Sequence, residues 1–364
     1  MKIWHIGASS SPQKVCGVNN SVWLLAREQA LQNHQVSLIL HNPPAPEAIT
    51  LANEVGIELI YIPANIWRYD PQKLEEILST NPSQLVHIHS VFVPRLATVG
   101  RSLVRHKIPY IASPRGGLDF RRGWLKKMIY SALIEKPRLY NAAAITALTP
   151  TEERIIQSFL PGYQKPIRWL PNPIDMTQLS GYQWQYNQQT RKVVYLGRFD
   201  VLHKGLDLIV EIARFLPDVE FDLYGSCESK TERELEKLKE NIPSNVQFKT
   251  PIFNEEKAQV LTNASLYIQM SRWEGFGRSI AEAMSVGLPC AIASTVHLSE
   301  IFKQQDLGLV LSPNPQEAAQ SLGEILTRPE QLQYWSVQGQ KFVQDNFQPS
   351  SVAASFIRFY QEVL

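Results

Sequence analysis

Met270–Pro289 reads MSRWEGFGRSIAEAMSVGLP, and two acids, three glycines and a helical run crowd around one turn of it. Just ahead, ASLYIQM alternates and ends apolar as a strand does, while RSIAEAMSV behind the turn places Ile280, Ala283 and Met284 at helical spacing. The unit is strand, tight glycine turn, helix. The first amides of such a helix lack intrahelical partners and carry partial positive charge, so an anionic or hydroxyl-rich ligand is favoured there. Gly275 and Gly277 let a backbone come close. Glu274 lies ahead of the helix and Glu282 about one turn into it, so one carboxylate faces what sits over the turn and the other what lies beside the helix. Taken singly, these residues read as solvated acids, turn glycines and core; taken together, they argue for a site.

The phrase from Glu274 to Pro289, with seven residues between Glu274 and Glu282, closely resembles the E-x7-E signature of family 4 glycosyltransferases. The resemblance implies the GT-B fold, an α/β architecture of two Rossmann-like doubly wound domains facing a cleft. It also implies transfer of a sugar from a nucleotide sugar with retention of anomeric configuration. Glu282 would then meet the ribose hydroxyls, Glu274 would lie near the donor sugar, and the amides of Gly275, Phe276, Gly277, Arg278 and Ser279 would hold sugar hydroxyls.

The rest of the chain is compatible with that size and chemistry. A length of 364 residues exceeds what one core usually supports, so two domains are expected. A net charge of +2 gives no reason to invoke nucleic acid. Cys16, Cys227 and Cys290 are scattered and odd in number, indicating neither a disulfide framework nor a zinc site. MKIWHIGASSSP is too short in its apolar part for a signal peptide, and no stretch approaches a membrane span. A cytoplasmic monomer is expected, with peripheral contact to the inner face of a membrane.

In chain order, KIWHIG, a Ser-rich loop, SVWLLAREQALQN and QVSLILHN open a βαβ unit. GASSS lacks the glycines of a dinucleotide fingerprint, which weakens a nicotinamide reading. The resembled family commonly carries Gly-Gly in this loop against the donor phosphate; here the pair is Cys16-Gly17, leaving Gly17 as the candidate. In LVHIHS, His87 and His89 share a strand face. Metal binding there lacks a third ligand nearby, and the similar strand of the family puts His89 on the acceptor side of the cleft. In SPRGG, Arg115 and Gly116 stand where a short strand ends, a place suited to a phosphate or sugar hydroxyl; many relatives carry a His near here. From Arg101 to Tyr140 there are ten Lys or Arg against two acids, a local net of +8. Trp124, Leu125, Met128, Ile129, Ala132 and Leu133 recur at helical spacing beside Arg121, Arg122, Lys126 and Lys127. Such an amphipathic helix suits either an anionic lipid surface or a core with a solvated basic rim.

PIRWLPNPID resembles the family's domain junction, and the polar SGYQWQYNQQT reads as a linker. Expected domains are 1–171, acceptor-side; 172–345, nucleotide-sugar binding; and 346–364, a helix crossing back to the first domain. In GRFDVLHKG of the second domain, Arg198 and Lys204 can close on one anion, Arg in bidentate fashion and Lys as a point charge. This matches the family's phosphate clamp. The turn with Ile252 and Phe253 would meet the nucleobase through backbone groups, as in relatives. With two cations at the leaving diphosphate and no DxD-like cluster, neither a metal nor a cofactor is expected.

The expected activity is hexosyl transfer, from UDP-glucose by preference, to a glycan or lipid-linked acceptor in exopolysaccharide or glycoconjugate synthesis. Glu274, Arg198 and Lys204 are the candidate catalytic residues. Two other readings fit the same residues: another GT-B enzyme, such as a sugar-nucleotide epimerase or a phosphorylase, and a non-catalytic nucleotide-sugar-binding protein.

Overall fold

The structure, a computed structural model, describes residues 1–14, 16–118, 128–189 and 191–364. The chain forms two compact units, Met1–Pro173 with Phe347–Leu364, and Ile174–Asn346.

The first unit is built on a seven-stranded sheet: β1 (Lys2–Ile6), β2 (Gln35–Leu40), β3 (Ile57–Tyr61), β4 (Leu85–His89), β5 (Tyr110–Ser113), β6 (Ala144–Ala147) and β7 (Ile167–Trp169). Its spatial order is β3-β2-β1-β4-β5-β6-β7, with every pairing parallel. A parallel sheet is covered on both faces, which is why QVSLIL and LVHIH are nearly continuous apolar runs. Alternation still decides which face each side chain meets. Trp4, Ile6, Val86 and Ile88 join a core with Leu74 of α3 (Pro71–Thr80), Leu96 and Leu103 of α4 (Pro94–Arg105) and Ile156 of α6 (Pro150–Phe159). Ile3, Leu85 and Ile111 turn the other way, toward Leu25 of α1 (Gly17–Leu31) and Phe356 of α15 (Pro349–Val363). His5 and His87 share the parity of Ile3 and Leu85, so they too point under α1 and α15.

The second unit carries a six-stranded parallel sheet, order β10-β9-β8-β11-β12-β13. These strands are β8 (Lys192–Leu196), β9 (Glu220–Tyr224), β10 (Val246–Lys249), β11 (Leu266–Gln269), β12 (Cys290–Ala293) and β13 (Leu309–Leu311). Strand order reverses between β1 and β4 in the first unit and between β8 and β11 in the second. At such a reversal the two adjoining carboxyl-end loops diverge and leave a crevice, the usual ligand position in open α/β sheets. In the second unit those two loops are 197–205 and 270–277, the ones carrying Arg198, Lys204 and Glu274.

Two sequence expectations need correction. The segment read as a linker is anchored: Trp184 is buried and its indole N–H donates to the Ala264 carbonyl at 2.7 Å, while its backbone N–H donates to Val286 O at 2.7 Å. One buried indole with a satisfied polar edge outweighs the polar residues around it. Of the amphipathic stripe, Trp124, Leu125 and the basic residues Arg121, Arg122, Lys126 and Lys127 lie outside the described residues. Among its described members, Met128, Ile129 and Leu133 are exposed rather than packed. Continuous α-helix also gives way to a π turn over Ser131–Glu135 before α5 (Lys136–Asn141). Cys16, Cys227 and Cys290 form no disulfide among the described residues. Among the described residues no helix is long and apolar enough to cross a membrane.

Candidate functional site

In the second unit, the 197–205 loop follows β8 and folds into α7 (Val201–Lys204), capped by Asp200, whose side chain accepts from His203 N at 3.0 Å. The Glu274 turn follows β11 and runs into α11 (Arg278–Ser285). Several contacts weld the two loops together. His203 stacks on Trp273 with ring centroids 4.6 Å apart, and its Nε2 donates to the Trp273 carbonyl at 3.0 Å. Arg272 N donates to His203 O at 3.0 Å, and the Arg272 guanidinium grips Asp207 of α8 (Leu206–Arg214) through two bonds of 2.8 and 2.6 Å. From the far side, Glu274 bridges Val296 and its carbonyl accepts from His297 N at 3.0 Å.

Within this frame the Lys204 ammonium donates to the Glu274 carboxylate. Burial alone would push the Glu274 carboxyl up. The Lys204 charge and hydrogen bond, with His203 and His297 beside it, bring it net below the ordinary carboxylate value. The turn is therefore anionic at its floor and cationic at Lys204 at neutral pH. Gly277 caps α11 at φ 73° and supplies no side chain to the first turn, so the start of the helix depends on another partner there. Beneath it, the Tyr267 hydroxyl lies 2.7 Å from Ser279 Oγ and 2.5 Å from Gln269 Oε1, which fixes Ser279 from below. Three residues on, Glu282 is held at 3.1 Å by Lys257 and at 3.7 Å by Arg278. Lys257 belongs to α10 (Asn254–Thr262), the helix that Phe253 starts, so the expected base-side turn and Glu282 share a neighbourhood. There, Ile252 is buried and Phe253 exposed.

Arg198 is positioned less firmly. Its half-exposed guanidinium pairs with Glu228 at 2.5 Å, and Glu228 pairs also with Lys230. Each expected cation thus rests on its own carboxylate. Gly17 opens α1 in the other unit, exposed and with nothing within 4 Å of where a Cβ would stand; no backbone reason requires glycine there.

The first unit assembles a second polar cluster. Arg115, at φ 56°, donates from NH2 to His89 Nδ1 at 3.0 Å and from NH1 to Asn172 Oδ1. Gly116 N donates to Glu152 at 2.5 Å. His89, expected at the mouth of a cleft, is instead fully buried beneath Arg115. A third imidazole was missed as well: β1 pairs with β4 in register, His5 against His87, so His5, His87 and His89 lie with ligand atoms within 4.8 Å of one another. All six ring nitrogens already have side-chain partners and Arg115 adds a positive charge, so the donor set does not suit a cation. Burial, with Arg115 adding to it, lowers all three imidazoles, His5 to about 4 and His87 and His89 well below the ordinary value; the hydrogen bond to Gln29 offsets only part of the shift at His5. Burial likewise lowers Arg115 to about 10, against the opposing pull of Tyr360 and Glu152.

Sequence reasoning also missed Asp200, Lys257, Glu228, Asp207, Tyr267 and Asn172. Only Asp200, a helix-start residue in FDVLHK, left a local signal; the others arrive from distant elements.

Known proteins bear on this arrangement. Residues 15–178 match the family model described as Glycosyltransferase Family 4, and residues 182–342 match that described as Glycosyl transferases group 1. The chain is 23% identical over 366 residues to the phosphatidyl-myo-inositol mannosyltransferase of Mycolicibacterium smegmatis, covering 95% of this chain and 90% of that protein. Among solved structures, it resembles sucrose-phosphate synthase from Thermosynechococcus elongatus with a TM-score of 0.78, at 19% identity over 99% of this chain and 98% of that one. It also resembles Anabaena HepE in complex with UDP and glucose, with a TM-score of 0.76, at 15% identity over 99% of both chains. With family models matched along most of its length and two parallel sheets of the same architecture, the chain belongs to glycosyltransferase family 4 and is a glycosyltransferase of GT-B fold.

Proposed function

We propose that the protein transfers a hexose with retention from a UDP-hexose, UDP-glucose by preference, to a glycan or lipid-linked acceptor in exopolysaccharide or related glycoconjugate synthesis. The observation that carries the donor side is the Lys204–Glu274 contact at the glycine turn, held on both flanks by the His203–Trp273 stack and the Arg272–Asp207 pair. HepE of Anabaena, whose solved structures hold UDP and UDP-glucose, supports the choice of donor.

In the reaction, the bond from C1 to the β-phosphate oxygen breaks, a bond from C1 to the acceptor oxygen forms on the same face, and the hydroxyl proton passes to the departing diphosphate. The transition state is oxocarbenium-like while negative charge grows on the leaving group. Lys204 keeps donors to spare beside Glu274, and the exposed Arg198–Glu228 pair opens at little cost, so both cations turn to the diphosphate. Two side-chain charges supply what a divalent ion supplies elsewhere, and neither metal nor cofactor is assigned. Glu282 takes the ribose hydroxyls, the amides from Gly275 to Ser279 the sugar, and Ile252 and Phe253 the base. Arg115 and Gly116 belong to the acceptor side. Exposed Met128, Ile129 and Leu133 within the basic 101–140 segment support peripheral contact with an anionic membrane, consistent with a lipid-linked acceptor.

The test is a panel of UDP-, GDP- and ADP-hexoses, with and without EDTA, with the anomeric configuration of the product read by NMR. Transfer from UDP-glucose, unchanged by EDTA and with retained configuration, is expected. An epimer formed from UDP-sugar alone, a sugar phosphate formed with inorganic phosphate, or UDP binding with no turnover would each replace this reading.

A further inference from the structure

Arg115 is half-buried and strained in the left-handed region, and no carboxylate hydrogen-bonds to it among the described residues. Its Nε is buried and without a hydrogen-bond partner. A guanidinium only donates, so His89 Nδ1 must accept and a neutral His89 carries its proton on Nε2. That Nε2 lies 3.0 Å from His5 Nδ1 and donates to it; His5 then carries its own proton on Nε2, 2.8 Å from Gln29 Oε1. The Gln29 amide reaches the Tyr360 hydroxyl at 3.5 Å, Tyr360 donates to His87 Nδ1 at 2.6 Å, and His87 Nε2 donates to Ser113 Oγ at 2.6 Å. Ser113 passes the direction to Thr146. The donor-only guanidinium thus dictates the sense of the bonds as far as Gln29; beyond it, the Tyr360 hydroxyl, accepting from the Gln29 amide, has its own proton for His87 Nδ1.

We propose that His5, His87, His89, Gln29 and Tyr360 are positioning residues, a one-way hydrogen-bond relay that holds the Arg115 guanidinium as a fixed, charged anchor for a phosphate-bearing acceptor. The proposal rests on the acceptor-side reading of Arg115. Its logic is exclusion: a proton on His89 turns Nδ1 into a donor facing the Arg115 donor, and a proton on His5 does the same against His89 Nε2. The charged and titratable groups facing the trio are Arg115 from the β5 loop, Tyr360 from α15 and, beyond Arg115, Glu152 from α6. Glu152 is committed to the amides of Gly116 and Leu148, so no carboxylate stabilises an imidazolium. The anchor therefore keeps its geometry only while His89 and His5 are neutral, and a proton on His87 would reverse the Tyr360 bond.

The experiment is NMR on the full chain with 15N-labelled histidine and arginine side chains, titrated with inorganic pyrophosphate as the probe of phosphate-bearing acceptors. The expected result is the Nε2–H tautomer for His5, His87 and His89 throughout the folded range, and a pyrophosphate-dependent shift of the Arg115 Nε signal. In Gln29→Leu and Tyr360→Phe, which cut the relay away from Arg115, mixed tautomers are expected at His87, beyond the cut, while His89 keeps Nε2–H; with the far end loosened, the pyrophosphate response of Arg115 should weaken about tenfold, one well-placed hydrogen bond's worth. UDP affinity should be unchanged. An Nδ1–H tautomer at His89, or any of the three titrating near 6.5 in the folded wild type, overturns the relay, and the wild-type spectrum decides this even if a variant does not fold. Correct tautomers with no response of Arg115 to pyrophosphate leave the relay standing and remove the acceptor-side role instead.

Discussion

Lys204 and Arg198 share one loop, yet their surroundings set different consequences for losing them. Lys204 meets a largely buried carboxylate, so Lys204→Ala leaves Glu274 without its cation and raises its carboxyl, and destabilisation of about 1–3 kcal/mol should accompany a fall in turnover. Arg198 faces Glu228 in solvent, so Arg198→Ala should lower turnover while hardly moving the melting temperature. Paired kinetics and thermal melts check both, and equal melting shifts would contradict the assigned surroundings. Glu282→Ala is expected to weaken UDP binding by about 10- to 100-fold in calorimetry, the range for a hydrogen bond to a charged group, with turnover at saturating donor little changed. A loss confined to turnover would move Glu282 from the ribose to the reacting centre.

Two glycines set the elements that carry these residues. At Gly277, φ 73°, a Cβ would meet the end of the Ile280 side chain at 2.5 Å, and that methyl can rotate away. At Gly205, φ 65°, it would meet the Met270 carbonyl at 2.0 Å, which can yield only by parting the Lys204 loop from the β11 turn. Gly277→Ala should therefore cost about 1–3 kcal/mol and Gly205→Ala more, with the larger loss of turnover in the latter. The reverse order in melting temperature would show that the loops are not welded at Met270. The same distinction explains what the sequence made legible. The strand, glycine turn and helix over 264–285 are local in period and turn chemistry, so they and their acids could be read directly. Lys257 and Glu228 come from other elements and left no local mark. His5 joins His87 only because strand order reverses between β1 and β4, which no pairwise spacing announces. Trp184 was overlooked because a polar window hides a single anchored ring.

At the scale of the whole chain, ionisation divides the two units. In the first, folding holds His5 near 4 and His87 and His89 well below their ordinary 6.5, so below pH 6.5 the unfolded chain binds protons that the folded unit refuses. Stability from these three groups is full above about 6.5 and is lost as pH falls toward 4, by about 1.4 kcal/mol per pH unit for each histidine still neutral in the fold. His34 and His41, lowered mainly by burial, add to the slope; Glu152, whose carboxyl burial pushes up, opposes it. The second unit has His203, lowered by burial and by Lys204, and Glu274, whose contribution is lost only below the carboxylate range. Acid should therefore open the first unit before the second. Because α15 seals the histidine face with Phe356 and Tyr360, its protection should fall together with that of β1 and β4. Hydrogen exchange read by mass spectrometry at pH 7 and pH 5, corrected for intrinsic rates, would follow peptides from β1, β4 and α15 against β8 and β11. Concerted loss in the first set with the second retained is expected; β8 and β11 opening first, or β1 remaining protected at pH 5, would mean that the buried imidazoles do not set the acid stability of the first unit.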